Sequence, residues 1–128
     1  MTKNILIADD SKENLKLWEI CLRPTGLIPI LANDGDEAIE LFNSNKIVAA
    51  VLDLNMPKKN GYEVIEYIKS KAKDCPVIAS TGEDCETISQ KLKTAGFDDY
   101  FEKPFDFKIA VAKLHSHVES HMSANASA

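Results

Sequence analysis

Five short apolar runs, spread evenly along the chain, constrain its fold more than any other feature. Ile5-Leu6-Ile7-Ala8, Ile28-Pro29-Ile30-Leu31, Val48-Ala49-Ala50-Val51-Leu52, Val77-Ile78-Ala79 and Tyr100-Phe101 are all of strand length. Three of them are almost continuously apolar rather than alternating, the pattern of strands buried on both faces in a parallel sheet covered by helices. Pro29 marks the second run as an edge strand, because proline has no N–H to give to a ladder. Between the runs the period becomes helical. Leu15, Trp18 and Leu22, flanked by Leu17 and Cys21, follow a Ser11 cap. Asp34 and Glu37 form a capping-box pattern ahead of Ala38, Leu41 and Phe42. A third helix carries Val64, Ile65 and Ile68, and a thinly apolar fourth carries Ile88, Leu92 and Ala95 before Gly96, a natural helix stop. Phe107, Val111, Leu114 and Val118 define the fifth. Strands alternating with helices form a βα repeat with right-handed crossovers, so the expected architecture is an open three-layer α/β sandwich on a five-stranded parallel sheet.

At 128 residues the chain is long enough for one domain with a core that needs no disulfide or metal. Its 45% apolar and 27% charged content is globular, and a net charge of −5 (15 basic against 20 acidic residues) argues against binding nucleic acid. No apolar run reaches membrane-spanning length, and Met1-Thr2-Lys3-Asn4 leads into a stretch too short for a signal peptide. Three widely spaced cysteines, Cys21, Cys75 and Cys85, with no CxxC pair, point to a reducing compartment, hence a cytoplasmic protein. Ser120 to Ala128, rich in Ser and Ala, reads as a frayed tail, so the domain is expected over residues 1–121 with a disordered tail over 122–128.

Ligands of such sheets sit beyond the carboxyl ends of the strands. There the sequence places Asp9-Asp10 after the first run, Asp53 after the third, Ser80-Thr81 after the fourth and Lys103-Pro104 after the fifth. Folding gathers all of them on one edge. Carboxylates so crowded repel by about 4 kcal/mol per pair at roughly 4 Å and an effective dielectric of about 20. They must hold protons or a cation, and a sparse all-oxygen set suits Mg²⁺. A metal, an ammonium and a hydroxyl around one carboxylate are equipped for phosphoryl transfer, with Asp53 as the nucleophile that forms an acyl phosphate.

These residues, in this order and each at a strand end, make residues 4–118 resemble the receiver domain of two-component response regulators. The likeness rests on Asp9-Asp10, on Asp53-Leu54-Asn55-Met56-Pro57 with Gly61, on Thr81, and on Gly96-Phe97-Asp98-Asp99-Tyr100-Phe101-Glu102-Lys103-Pro104-Phe105. It implies a flavodoxin-like strand order 2-1-3-4-5. It implies Asp53 as phosphoacceptor, Asp10 as direct Mg²⁺ ligand, Asp9 acting through a bound water and the backbone carbonyl of Asn55 as a further ligand. Thr81 corresponds to the switch hydroxyl, Tyr100 to the aromatic that rotates inward on activation, and Lys103 to the phosphoryl-binding lysine, with a cis bond at Lys103-Pro104. Two positions depart from the family: Lys59 stands where an apolar residue is usual and Gly82 where Ala is. Asn55 and Glu83 occupy positions that tune acyl phosphate lifetime.

The expected function is a stand-alone switch, not an enzyme. It takes a phosphoryl group from a histidine kinase or histidine phosphotransfer protein and changes its binding to a downstream protein, as a monomer or a phosphorylation-dependent dimer. A diffusible messenger and a phosphorelay intermediate or phosphate sink both fit. A phosphatase of the haloacid dehalogenase type needs an Asp where Asn55 stands; an FMN carrier needs a phosphate loop where Asp9-Asp10 would repel it; a degenerate receiver would lack the acidic set. Ser80 competes with Thr81 for the hydroxyl role, since alternation lets only one of them face the pocket. His115, His117 and His121 read as a solvated face rather than a metal site, and Trp18 as core.

Overall fold

Each apolar run becomes a strand, and each helical pattern a helix, in the computed structural model, which describes the backbone of residues 3–127 and the side chains of residues 3–122. The strands are β1 (Asn4–Ala8), β2 (Ile28–Ala32), β3 (Ile47–Asp53), β4 (Val77–Thr81) and β5 (Asp99–Glu102). The helices are α1 (Lys12–Leu22), α2 (Gly35–Ser44), α3 (Gly61–Lys71), α4 (Cys85–Ala95) and α5 (Phe107–Ser127). The sheet is parallel in the order β2-β1-β3-β4-β5, the flavodoxin-like arrangement, and Pro29 lies on its edge strand β2.

Strand alternation sorts the core into two layers. Leu6, Ala8, Ala50, Leu52, Val77 and Ala79 pack against α2, α3 and α4 through Ala38, Val64, Ile65, Ile68 and Leu92. Ile5, Ile7, Ala49, Val51, Ile78 and Phe101 pack against α1 and α5 through Leu15, Trp18, Leu22, Val111, Leu114 and Val118. Ile5, Leu6 and Ile7 are all completely buried, which is why this run is apolar without alternation.

The caps explain where the helices begin. Ser11 accepts the N–H of Asn14 at the start of α1. At α2 the expected box is only half formed: Asp34 accepts the Glu37 N–H, but Glu37 accepts the N–H of Asn33, one residue upstream of the cap. The reciprocal box sits at α3, between Asn60 and Glu63. Gly96 closes α4 with φ 104°. The backbone of α5 is helical to Ser127. The side chains of residues 123–127 and all of Ala128, on which the expected tail falls, lie outside the described residues.

Trp18 is buried, with ring centroids 5.1 Å from Phe107, 5.8 Å from Phe105 and 6.0 Å from Phe101. This cluster anchors the chain on both sides of Lys103. Cys75 and Cys85 are buried, and burial pushes both thiols up to about 11, so they behave as packing groups.

Candidate functional site

Register assembles the site before any side-chain detail. Ile7 pairs with Val51, and two residues further along the same face come Asp9 and Asp53. Lys103 shares the face of Phe101, so three charged groups reach the sheet rim on the α1 and α5 side. Ligand oxygens of Asp9, Asp10 and Asp53 lie within 4.8 Å of one another. Asp9 and Asp53 are buried, whereas Asp10 is exposed.

The oxygens of Asp53 are held separately. Oδ1 accepts the Asn55 N–H at 3.0 Å, and Oδ2 accepts from Lys103 Nζ at 2.9 Å. Burial holds the Asp53 carboxyl above the usual range; Asn55 and Lys103 offset this only in part, and Asp9 adds to it. Burial pulls Lys103 down, but the two carboxylates more than compensate and its pKa is raised, so it stays charged. Asp9 accepts the Ser11 N–H at 2.9 Å on Oδ1; on Oδ2 it takes Asn14 Nδ2 at 3.2 Å and Lys103 Nζ at 3.2 Å. Three carboxylates against one ammonium leave a local charge that a divalent ion would balance. The donor set is all oxygen, as Mg²⁺ requires, and Asp10, which faces solvent, is open to an incoming ion. Asp9, Asp10 and Asp53 are thus positioned to chelate a divalent metal.

The loop after β3 is shaped by a close approach. Gly61 N–H bonds to Leu54 O, and a Cβ at Gly61 would lie 2.7 Å from the Asp53 carbonyl, so only glycine lets the start of α3 press on the strand end. The same loop leans on α2: a Cβ at Gly35 would fall 2.0 Å from Lys59 O. Lys59 Nζ pairs with Asp36 at 3.3 Å and Lys58 with Asp34 at 3.6 Å. An ion pair to α2 therefore stands where the family usually keeps an apolar residue.

Ser80 and Thr81 are both buried but point to opposite faces. Ser80 pairs with Asp53 and Phe101, on the α1 and α5 side, and its hydroxyl has no hydrogen-bond partner. Thr81 accepts the Glu83 N–H at 3.1 Å on the other face, the one that carries Tyr100. Tyr100 is 38% exposed. Lys103-Pro104 is cis. Of the histidines, His117 is half-buried with Nε2 2.9 Å from Asp99, so it is not simply a solvated group, and His115 lies 3.8 Å from Glu119. Asp9, Asp10, Asp53 and Lys103 thus meet at one rim, whereas Thr81 and Tyr100 share the opposite face of the sheet, Thr81 at the strand end beside that rim. Asn14, which bonds Asp9, belongs to none of the sequence motifs. The available signal was its place in the first turn of α1, close behind Asp9.

Among the described residues no helix is long and apolar enough to cross a membrane. A family profile described as the response regulator receiver domain matches residues 5–115. The chain is 33% identical over 118 residues to the response regulator MprA of Mycobacterium ulcerans, covering 91% of this chain and 50% of that one. It is 36% identical over 111 residues to the response regulator RR06 of Streptococcus pneumoniae, covering 87% and 51%. The chain spans about half the length of these curated relatives. The receiver domain of the Francisella response regulator 1452 superposes with a TM-score of 0.84 at 27% identity, covering 93% of this chain and 98% of that one. Sequence likeness, sheet order and the carboxylate geometry agree: the chain belongs to the receiver-domain family of two-component response regulators.

Proposed function

We propose that Asp53 is the phosphoacceptor, with Lys103, Thr81, Asp9 and Asp10 in supporting roles. The observation that carries this reading is the 2.9 Å bond from Lys103 Nζ to Asp53 Oδ2, beside two further carboxylates that a single ammonium cannot balance. Mg²⁺ would be held by Asp10, Asp53 and the Asn55 carbonyl, with Asp9 acting through a bound water. Such an ion supplies neutralisation of the phosphoryl oxygens. An Asp53 oxygen attacks phosphorus in line; the new O–P bond forms as the donor's N–P bond breaks, and the electron pair leaves on the imidazole nitrogen. Lys103 then meets the added charge, and Thr81, whose oxygen already accepts a backbone N–H, has its proton to give to a phosphoryl oxygen.

The switch follows from contacts made only after transfer. Thr81 and Tyr100 share a face of the sheet, and Tyr100 borders a small hollow lined by Ser89, Leu92, Lys93 and Phe97. Movement of Thr81 toward the phosphoryl group opens space for Tyr100 to turn inward, which changes the α4–β5 surface offered to a downstream protein. We place the domain over residues 1–121, because Val118 is the last buried side chain of α5 among those described. We place the protein in the cytoplasm, with a protein rather than nucleic acid as its target. Incubation with an acyl phosphate and Mg²⁺, followed by intact-mass measurement, tests the reading. One added phosphoryl group, lost with a chelator and in Asp53→Asn, is expected; equal labelling of Asp53→Asn would move the site elsewhere.

A further inference from the structure

We infer that Asn14 is a positioning residue of this site: its side-chain amide holds and partly neutralises Asp9, and so keeps Lys103 shared with Asp53. The inference rests on the phosphoacceptor reading and adds a residue outside the charged set. Asp9 is 2% exposed, so its charge depends on protein donors. Those donors are Ser11 N–H, Asn14 Nδ2 and Lys103 Nζ. The first belongs to the backbone and is indifferent to the residue at 11. Lys103 is contested, lying 3.2 Å from Asp9 and 2.9 Å from Asp53. Asn14 is therefore the donor through which the sequence sets how strongly Asp9 competes for that ammonium. Its own backbone is fixed independently, by the bond from Asn14 N–H to Ser11 Oγ, so a change of side chain leaves the helix cap in place.

Removing the amide has two consequences of opposite sign. Asp9 turns to Lys103 for the lost bond and draws it from Asp53, which slows phosphoryl transfer. Asp9 is also less neutralised, so the rim attracts a divalent cation more strongly. Damage to the site would instead weaken both properties together.

The test uses the full chain with Asn14→Leu, which keeps the bulk and loses the donor, and Asn14→Gln, which keeps an amide. Mg²⁺ binding is measured by calorimetry, and the labelling rate with acetyl phosphate at saturating Mg²⁺ by mass spectrometry. For Asn14→Leu, Mg²⁺ should bind about two- to fivefold more tightly while labelling slows about three- to tenfold, the scale of one typical net hydrogen bond. Asn14→Gln should recover most of both. The inference is overturned if the two quantities fail to move apart in Asn14→Leu, or if Asn14→Gln is no closer to the parent. A parent chain that binds no Mg²⁺ and takes no label overturns the phosphoacceptor reading itself, and this inference with it.

Discussion

The Glu102 carboxylate accepts the backbone N–H of Cys85 at 2.9 Å, so the first turn of α4 is capped in part by the residue that precedes Lys103. Asp84 supplies the local cap through the N–H of Glu86, and Glu102 serves a donor that the helix itself cannot satisfy. The link joins the end of β5, just before the lysine, to the helix that borders Tyr100. Replacing Glu102 with Ala should cost about 1 kcal/mol, the worth of a helix cap. Hydrogen exchange should speed up at residues 85–88 while labelling by small phosphodonors stays within about twofold, a separation expected because Glu102 does not touch Asp53. Unchanged exchange there would show that the cap contributes nothing.

Close backbone approach, not ion pairing, holds the β3–α3 loop against α2. Gly35→Ala must displace Lys59 O from a 2.0 Å overlap and should destabilise by about 2–3 kcal/mol. Lys59→Met removes an exposed pair with Asp36 and should change stability by less than about 0.5 kcal/mol. Denaturant unfolding of the two variants checks the order, and equal losses would contradict it.

Asp99 makes stability depend on acid. Burial pushes its carboxyl up, but the His117 ring, the Tyr100 N–H and the Lys113 ammonium together hold it below the ordinary value of 3.8. A depressed native pKa gives stability that is present above the unfolded value and is lost as pH falls through the native one. Asp99→Asn should therefore be less stable at pH 7 by about 1 kcal/mol, given partial exposure, and the gap should close below about pH 4. A gap that widens in acid would show that the sign is wrong.

Burial of the carboxylate predicts the reverse at Asp53. Because burial and Asp9 hold its carboxyl high, ionised Asp53 opposes folding when no cation is present. Asp53→Asn should melt higher than the parent without Mg²⁺, by a few degrees for each 1 kcal/mol relieved. Saturating Mg²⁺ should raise the parent and narrow or reverse the difference. A lower melting temperature for Asp53→Asn without metal would contradict this.

Much of this was legible in the chain because it lies in local pattern. The runs around Ile5-Ile7 and Val48-Leu52 are apolar since they are buried on both faces, and their polar ends, Asp9 and Asp53, meet through strand register alone. What was not legible depends on how elements lean on one another. Lys59 reaching Asp36 and Glu102 reaching Cys85 each require the relative pose of two segments, and Glu37 turning back to Asn33 depends on how the chain enters α2. His117 looked like a solvated group because only the fold brings Asp99 of β5 against it.

The central claim is that phosphorylation takes place on the Asp53 carboxylate, and chemical trapping addresses it most directly. Borohydride reduction of the chain after treatment with acetyl phosphate and Mg²⁺ converts an aspartyl phosphate to homoserine, which peptide mass mapping locates. Homoserine at position 53, absent when Mg²⁺ is chelated, is the predicted result; homoserine at Asp9, Asp10 or any other position, with 53 intact, would contradict it.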